Sequence, residues 1–216
     1  MPTRSKRAPR PRTRLSAGDR RELIEQAATE LFATRGFRGA SVEEISRRAG
    51  VTPPVVYDHF SSKRELYQHL VDHHYGQLRS VWFDYASSED PVGDRLPHAV
   101  DEWFGYLEEH PFVAGLLFRE PVDDESAGVR HRSIRRKSRE AMVALLASEA
   151  AQAGVDVGDP DLAWETLRAV LQGLALWWSE HPDVERERIV TAAMNALWIG
   201  YERVLNGEVW APARGG

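Results

Sequence analysis

Apolar side chains recur along this chain at spacings of three and four rather than two, the period of helices with one buried face. The first such stretch runs from about Gly18 to Arg35, with Leu23, Ile24, Ala27, Ala28, Leu31 and Phe32 on one side. Gly36 is predicted to end it as a left-handed cap. A short helix follows over 41–49, where Ser41-Val-Glu-Glu44 reads as a capping box. Gly50 marks a sharp turn, and Thr52-Pro53-Pro54 restarts a helix through Tyr57 and His59. A second capping box, Ser62-Lys-Arg-Glu65, opens a long helix to about Tyr85. Further helices are predicted over 91–109, 111–119, 127–152, 160–180 and 184–206, separated by Pro91, His110-Pro111, Pro121, the Gly154 to Pro160 stretch and His181-Pro182. There is no convincing strand alternation and no internal repeat, so the expected fold is all-α.

Residues 41–60, SVEEISRRAGVTPPVVYDHF, have the length and punctuation of a helix-turn-helix. Val42, Ile45, Ala49, Val51, Val56 and Phe60 can form the small core between the two helices. Thr52, Pro53, Val55, Tyr57, Asp58 and His59 are left facing outward on the second. A face so mixed suits a helix laid in the major groove of DNA.

The stretch 23–70 resembles the N-terminal domain of the tetracycline-repressor (TetR) family. The resemblance is carried by Ala27-Ala28, Leu31-Phe32, Gly36, Ile45, Ala49-Gly50-Val51, Tyr57, His59-Phe60, Lys63 and Leu66, with unbroken spacing. It implies a three-helix DNA-binding domain followed by a helical ligand-binding and dimerisation domain. It implies, too, that Ser41 and Thr52 offer hydroxyls to phosphates, and that Tyr57 and His59 are a phosphate-contacting pair. Lys63 would be a phosphate clamp. Pro53, Pro54 and Val55 lie where the family approaches bases, with Val55 limited to apolar contact such as a thymine methyl. The chain departs from the family pattern at Pro54, usually glycine, and at Ala40, usually threonine. Pro54 disfavours helical geometry at Pro53, so regular helix is expected to begin at Pro54. With few base-edge hydrogen bonds available, specificity would depend on DNA shape and on an arginine from the N-terminal arm.

Charge sharpens this picture. The chain has 216 residues and a net charge of −5, distributed as +6 over residues 1–14, 0 over 15–66 and −11 over 67–216. A basic end on an acidic body is the asymmetry expected of a DNA-binding module with a regulatory domain. The expected division is a disordered basic arm (1–16), a helix-turn-helix domain (17–66) and a regulatory and dimerisation domain (67–216). Arg10, Arg12 and Arg14 are candidates for the adjacent minor groove. The arm could also be only a solubilising leader. It is followed by no apolar stretch and is not read as a secretory signal. No apolar run suggests a membrane span, so a cytoplasmic protein, nucleoid-associated when DNA-bound, is expected.

The body holds all seven tryptophans. The resemblance assigns to it a pocket and a dimer interface. Trp103, Phe104, Tyr106, Leu107, Phe112, Leu116, Phe118 and Trp177 are the pocket candidates, each weighed against ordinary core. The last two helices are the interface candidates, presenting Leu167, Val170, Leu171, Leu174 and Trp178 on one and Ala193, Leu197, Tyr201 and Val204 on the other. Small residues including Ala169, Gly173, Ala192 and Ala196 would let helices approach closely. A two-fold homodimer matches a palindromic operator.

Candidate chemistry beyond this is sparse. The absence of cysteine excludes disulfides, thiolate zinc sites and a cysteine nucleophile. His69 and His73 stand at the i, i+4 spacing of a metal pair but lack an obvious third ligand, so a solvated helix face is expected, with no metal and no cofactor. Arg132, Arg135, Arg136 and Arg139 form a basic stripe that either balances Asp123-Asp124-Glu125 or meets an anionic ligand. No G-x-S-x-G, phosphate-binding glycine loop or H-E-x-x-H is present, which argues against an enzyme. The expected function is a ligand-responsive transcriptional regulator, a repressor released from its operator by a small, largely apolar effector. The alternatives are an effector-independent DNA-binding protein of replication, division or chromosome organisation, and an enzyme on a helical scaffold.

Overall fold

The computed structural model describes residues 16–119, 125–154 and 158–205, and every regular element among them is a helix. The first, α1 (Ala17–Gly39), starts on a full capping box: Ser16 Oγ accepts from the Asp19 N–H at 3.1 Å, and Asp19 accepts from the Ser16 N–H at 2.9 Å. Gly36 does take the positive φ expected of it, 71°, but its ψ of 175° kinks the chain rather than capping it. One more turn runs on to Gly39 because Phe37 has a place in the core, against Phe32 and edge-on to Tyr67.

The next pair, α2 (Val42–Ala49) and α3 (Pro53–His59), turns at Gly50, where φ is 68° and ψ 27°. Ser41 caps α2 as predicted, accepting from the Glu44 N–H at 3.1 Å. The returning half of that box gives way to an ion pair, since Glu44 meets Arg35 at 2.6 Å and so ties α2 to α1. Helix α3 begins at Pro53, one residue earlier than expected. Extended Thr52 absorbs the change of direction, and the Val55 and Val56 N–H groups both return to its carbonyl. Two prolines fit there because the first turn has no internal use for their missing N–H groups.

Helix α4 (Lys63–Ser87) is capped by Ser62, while Glu65 accepts from the Ser61 N–H at 2.7 Å rather than from Ser62. The body adds α5 (Val92–Glu109), α6 (Val113–Phe118), α7 (Glu125–Ala153), α8 (Pro160–Ser179) and α9 (Arg186–Leu205). Residues 110–112 turn instead of extending α6 backwards, and Val184 bonds back to the His181 carbonyl before α9 starts.

One apolar cluster runs from Ile24 and Leu31 through Leu66 and Leu70 to Phe104, Val113 and Leu117. Each such side chain contributes about 1.5–3 kcal/mol by leaving water. The expected boundary between residues 66 and 67 falls inside α4: its first turns seal the α1–α3 unit, and Leu78 and Trp82 pack further along. Helix α6 lies directly on α1. A Cβ added at Gly115 would stand 3.2 Å from the Ala33 Cβ, so glycine is what allows the two backbones to meet.

Candidate functional site

The α2–α3 unit is held from beneath by buried Val42, Ile45, Ala49, Val56 and Phe60, with Val51, the sixth position that the spacing predicted, half-buried against them. With those residues inward, α3 turns Thr52, Pro54, Tyr57 and Asp58 to solvent, and Tyr57 is 52% exposed. The Thr52 hydroxyl makes no capping bond of its own. Pro53 and His59 are half-buried at the margin, and Val55 packs partly against the core, which narrows its room to meet a base. The same unit carries exposed cations: Arg38 in the last turn of α1, and Arg47 in the last turn of α2, which meets Glu44 at 3.5 Å.

Lys63 is placed differently from the clamp expected of it. Its ammonium donates to the Phe37 carbonyl at 2.8 Å and the Ala40 carbonyl at 2.9 Å, and it lies 4.4 Å from the centre of the Phe37 ring. Carbonyls left open at the end of α1 attract a cation more strongly than solvent competes for it. Lys63 therefore fixes α4 to the end of α1. Arg10, Arg12 and Arg14 lie outside the described residues.

A buried polar chain connects this unit to the body. Tyr67, edge-on to Phe32 in α1, donates its hydroxyl to His131 Nδ1 at 3.0 Å. His131 Nε2 in turn donates to the Leu117 carbonyl of α6 at 3.2 Å. Burial lowers the His131 pKa, which keeps the ring neutral, with one nitrogen accepting and the other donating. His69 belongs to the other side of α4, where it meets Glu25 at 2.9 Å and Arg21 at 3.2 Å.

Among the described residues, two larger cavities with apolar walls lie within the body. The first, about 290 Å³, has an apolar wall of Leu78, Trp82, Trp103, Phe118, Met142 and Trp164. Its rim carries Arg79, Arg135, Arg136, Arg139 and Arg168. The second, about 360 Å³, is lined mainly by Leu96, Leu145, Leu146, Leu167 and Leu197 and ends beside Glu149. Trp82, Met142 and Trp164 wall both. A third, about 600 Å³ and polar, separates α1 from the His110 turn.

Of the expected pocket residues, Trp103 and Phe118 line the first cavity. Phe104 is wholly buried core, Leu116 is buried, and neither reaches these two apolar cavities, whereas Leu107 lines a smaller one of about 110 Å³ beside Trp178. The Tyr106 hydroxyl instead hydrogen-bonds with His74 Nδ1 at 2.6 Å. Phe112 is 39% exposed on the polar cleft, and Trp177, 46% exposed, stacks on His181. The residues missed come from α4, α7 and α8. Three arginines of the basic stripe, Arg135, Arg136 and Arg139, were the available signal.

The interface candidates divide in the same way. Leu171, Trp178 and Ala193 point inward and are buried within the single chain, so they belong to its core. Trp178 even donates its indole N–H to the Val184 carbonyl at 2.7 Å. Leu167 and Leu197 line the second cavity, and Val170 and Leu174 are half-buried. Tyr201 and Val204 lie in the part of α9 whose side chains are outside the described ones. The exposed stripe of α8 is Leu162, Thr166, Ala169, Gly173 and Trp177, and that of α9 includes Ala192 and Ala196.

This is a helix-turn-helix unit fixed to a hollow helical body. Residues 24–70 match the family described as bacterial regulatory proteins, tetR family. The chain is 37% identical over 105 residues to the HTH-type transcriptional activator FasR of Mycolicibacterium smegmatis, covering 49% of this chain and 48% of FasR. It is 33% identical over 103 residues to the regulator YdgC of Bacillus subtilis, covering 46% and 52%. The chain thus matches only about half the length of the curated relatives. Among solved structures, FadR of Bacillus subtilis in complex with stearoyl-CoA superposes with a TM-score of 0.67 at 16% identity, over 88% of this chain and all of that one. A TetR-like transcriptional regulator from Rhodococcus sp. RHA1 superposes with a TM-score of 0.69 at 20% identity, over 88% and 99%. The chain resembles tetR regulators: residues 24–70 match that family's pattern, and the helical layout is the one these structures share. The named relatives are regulators of transcription rather than enzymes.

Proposed function

We propose that the chain is a dimeric operator-binding regulator whose hold on DNA is set by a small molecule in the helical body. The observation that carries the DNA reading is Tyr57, a large side chain turned to solvent beside Thr52 and Pro54 on a helix otherwise rooted in core. The exposed Arg38 and Arg47, the latter also 3.5 Å from Glu44, are cations of the same unit that suit phosphates. A two-fold dimer through the exposed stripes of α8 and α9 would pair two such faces, with Ala169, Gly173 and Ala192 permitting close approach. The arm, residues 1–14, adds six cations for an adjacent groove.

The effector reading draws on the cavities and on a neighbour of the same fold named as a complex with stearoyl-CoA. Occupation of the body would shift α6 against α1 and tilt α4, changing the separation of the two α3 helices. In this reading the regulator is a cytoplasmic repressor released by its effector. The relative named as an activator shows a different sign for that protein, and operator position sets the sign.

The experiment is selection of bound sequences from random duplex DNA, followed by the stoichiometry of the enriched complex. A palindromic consensus bound by two chains is the expected result. An absence of enriched sequence would overturn the operator-specific reading in favour of nonspecific DNA binding.

A further inference from the structure

Among the described residues of α3 that are exposed, Pro54, Tyr57 and Asp58, only the last carries a charge. A carboxylate is poorly placed there for the fold. Asp58 lies in the last turn of α3, where open carbonyls repel it. The other acids of the DNA-facing unit are set to advantage. Asp19 and Glu65 accept from the Ser16 and Ser61 N–H groups, and Glu25, Glu30 and Glu44 meet Arg21, Arg48 and Arg35. Glu43 stands in the first turn of α2, and Glu22 lines the polar cleft beside the body. Among the described residues, no cation or donor meets the Asp58 carboxylate. A local rule broken without structural return marks a side chain kept for function.

We propose that Asp58 sets a base preference of the reader, its carboxylate accepting from the N4 amino group of a cytosine in the major groove. The inference deepens the operator reading above and rests on it. The resemblance brings Pro53, Pro54 and Val55 to the bases and gives Asp58 no role, yet none of those three has a side-chain donor or acceptor. A carboxylate only accepts hydrogen bonds and is repelled by phosphates, so the amino groups of the base edges are its partners on duplex DNA. Cytosine shows one such donor and no acceptor on its own major-groove edge. Adenine sets its N7 acceptor beside N6, and guanine and thymine present acceptors that a carboxylate repels. Position on the helix supports the contact. Four residues after Pro54, Asp58 lies about 40° from it around the axis, while Tyr57 diverges from Asp58 by about 100°. Thr52 and Pro54 are compact, which lets α3 sit close enough to the base edges for a short side chain to reach them.

The test runs the random-duplex selection in parallel on the full parent chain and on Asp58→Ala. Operator duplexes carrying each base in turn at every consensus position are then titrated with both. For the parent, one cytosine per half-site is expected at which any other base weakens binding about fivefold or more. Asp58→Ala should be indifferent to the base at that position, keep the rest of the consensus, and bind scrambled duplex at least as well as the parent, since a repelling charge is gone. Asp58→Asn sets a donor beside its acceptor and should move the preference at that position toward adenine. Thermal unfolding of both variants should match or exceed the parent, because a carboxylate leaves the end of a helix. A lowered midpoint would mean that Asp58 serves the fold, and overturns the proposal. A profile that Asp58→Ala leaves unchanged at every cytosine, or a loss equal on operator and scrambled duplex, overturns it while the operator reading stands. No consensus for the parent chain sinks both.

Discussion

Lys63, the first residue of α4, donates from Nζ to the Phe37 carbonyl at 2.8 Å and so closes the kinked end of α1. The same ammonium reaches the Ala40 carbonyl, and Phe37 lies beneath it. Its role is therefore to hold the DNA-facing unit together. Lys63→Met keeps the apolar stem but removes both donors, and should lower stability by about 2 kcal/mol. Thermal unfolding measures this directly. Unchanged stability together with weakened DNA binding would return Lys63 to the role of a phosphate clamp.

Tyr57 offers the contrasting case. Its ring is half exposed and no stability depends on its hydroxyl, so Tyr57→Phe should unfold like the parent chain. If the hydroxyl meets a phosphate, binding to operator and to scrambled duplex should weaken by the same factor, on the order of threefold to tenfold. Competition titrations with both duplexes check this. A loss confined to the operator would mean that Tyr57 reads a base.

These two residues show where the sequence was legible and where it was not. Apolar spacing of three and four identifies Ile24, Leu31, Ile45 and Val56 as buried, because burial on a helix is periodic. Gly50 announces its turn because only a residue without a Cβ takes that φ easily. Lys63 looks free in the sequence, since the carbonyls that capture it are 23 and 26 residues away. The cavities were hidden for a related reason. Phe104 and Trp103 are adjacent and equally apolar, yet only the second faces a void, which depends on how five helices pack around it. On α8 the spacing does not separate core from surface: Leu171 and Trp178 turn inward, while Leu162 and Trp177 stay exposed alongside Ala169 and Gly173.

Gly115 and Ala33 bear on how body and reader communicate. A side chain at position 115 would stand 3.2 Å from the Ala33 Cβ, so Gly115→Val must push α6 away from α1. Overpacking of this kind costs about 1–3 kcal/mol. The informative readout is operator affinity without effector, which should shift if this contact sets the tilt of the reader. Lower stability with unchanged affinity would make the contact purely structural.

Acid should unfold this chain through its histidines. His74 is hydrogen-bonded to the Tyr106 hydroxyl, and burial pushes its pKa down from 6.5 to about 3, with His73 and His110 adding repulsion. His131 is lowered for the same main reason. Below pH 6.5 the unfolded chain takes up protons that the folded chain refuses, so stability falls as pH falls toward 3. The slope from His74 is about 1.4 kcal/mol per pH unit between the two pKa values, and His131 adds in the same direction. Glu65 and Asp19, lowered by their hydrogen bonds to Ser61 and Ser16, act in the same direction at lower pH. Denaturant titrations between about pH 7 and pH 4 measure the slope. His74→Gln should flatten it, and an unchanged slope would remove His74 from the account.

The basic arm makes its contribution visible in salt. Residues 1–14 carry six cations and no acid, while residues 15–66 sum to zero. If the arm lies in a groove, each phosphate it neutralises releases condensed counterion. The slope of log affinity against log salt then steepens by about 0.9 per contact. In a dimer every contact counts twice. Deleting residues 1–14 should therefore flatten the slope by several units while leaving the unfolding midpoint unchanged, since the capping box at Ser16 remains. A minor-groove arm makes a second demand that a merely cationic leader does not. Arginines inserted there favour narrow A·T-rich steps, so the truncated chain should lose preference at flanking base pairs beyond the reach of α3. Affinity lost equally at every flank would identify the arm as a general phosphate anchor, and an unchanged salt slope would exclude it from the complex.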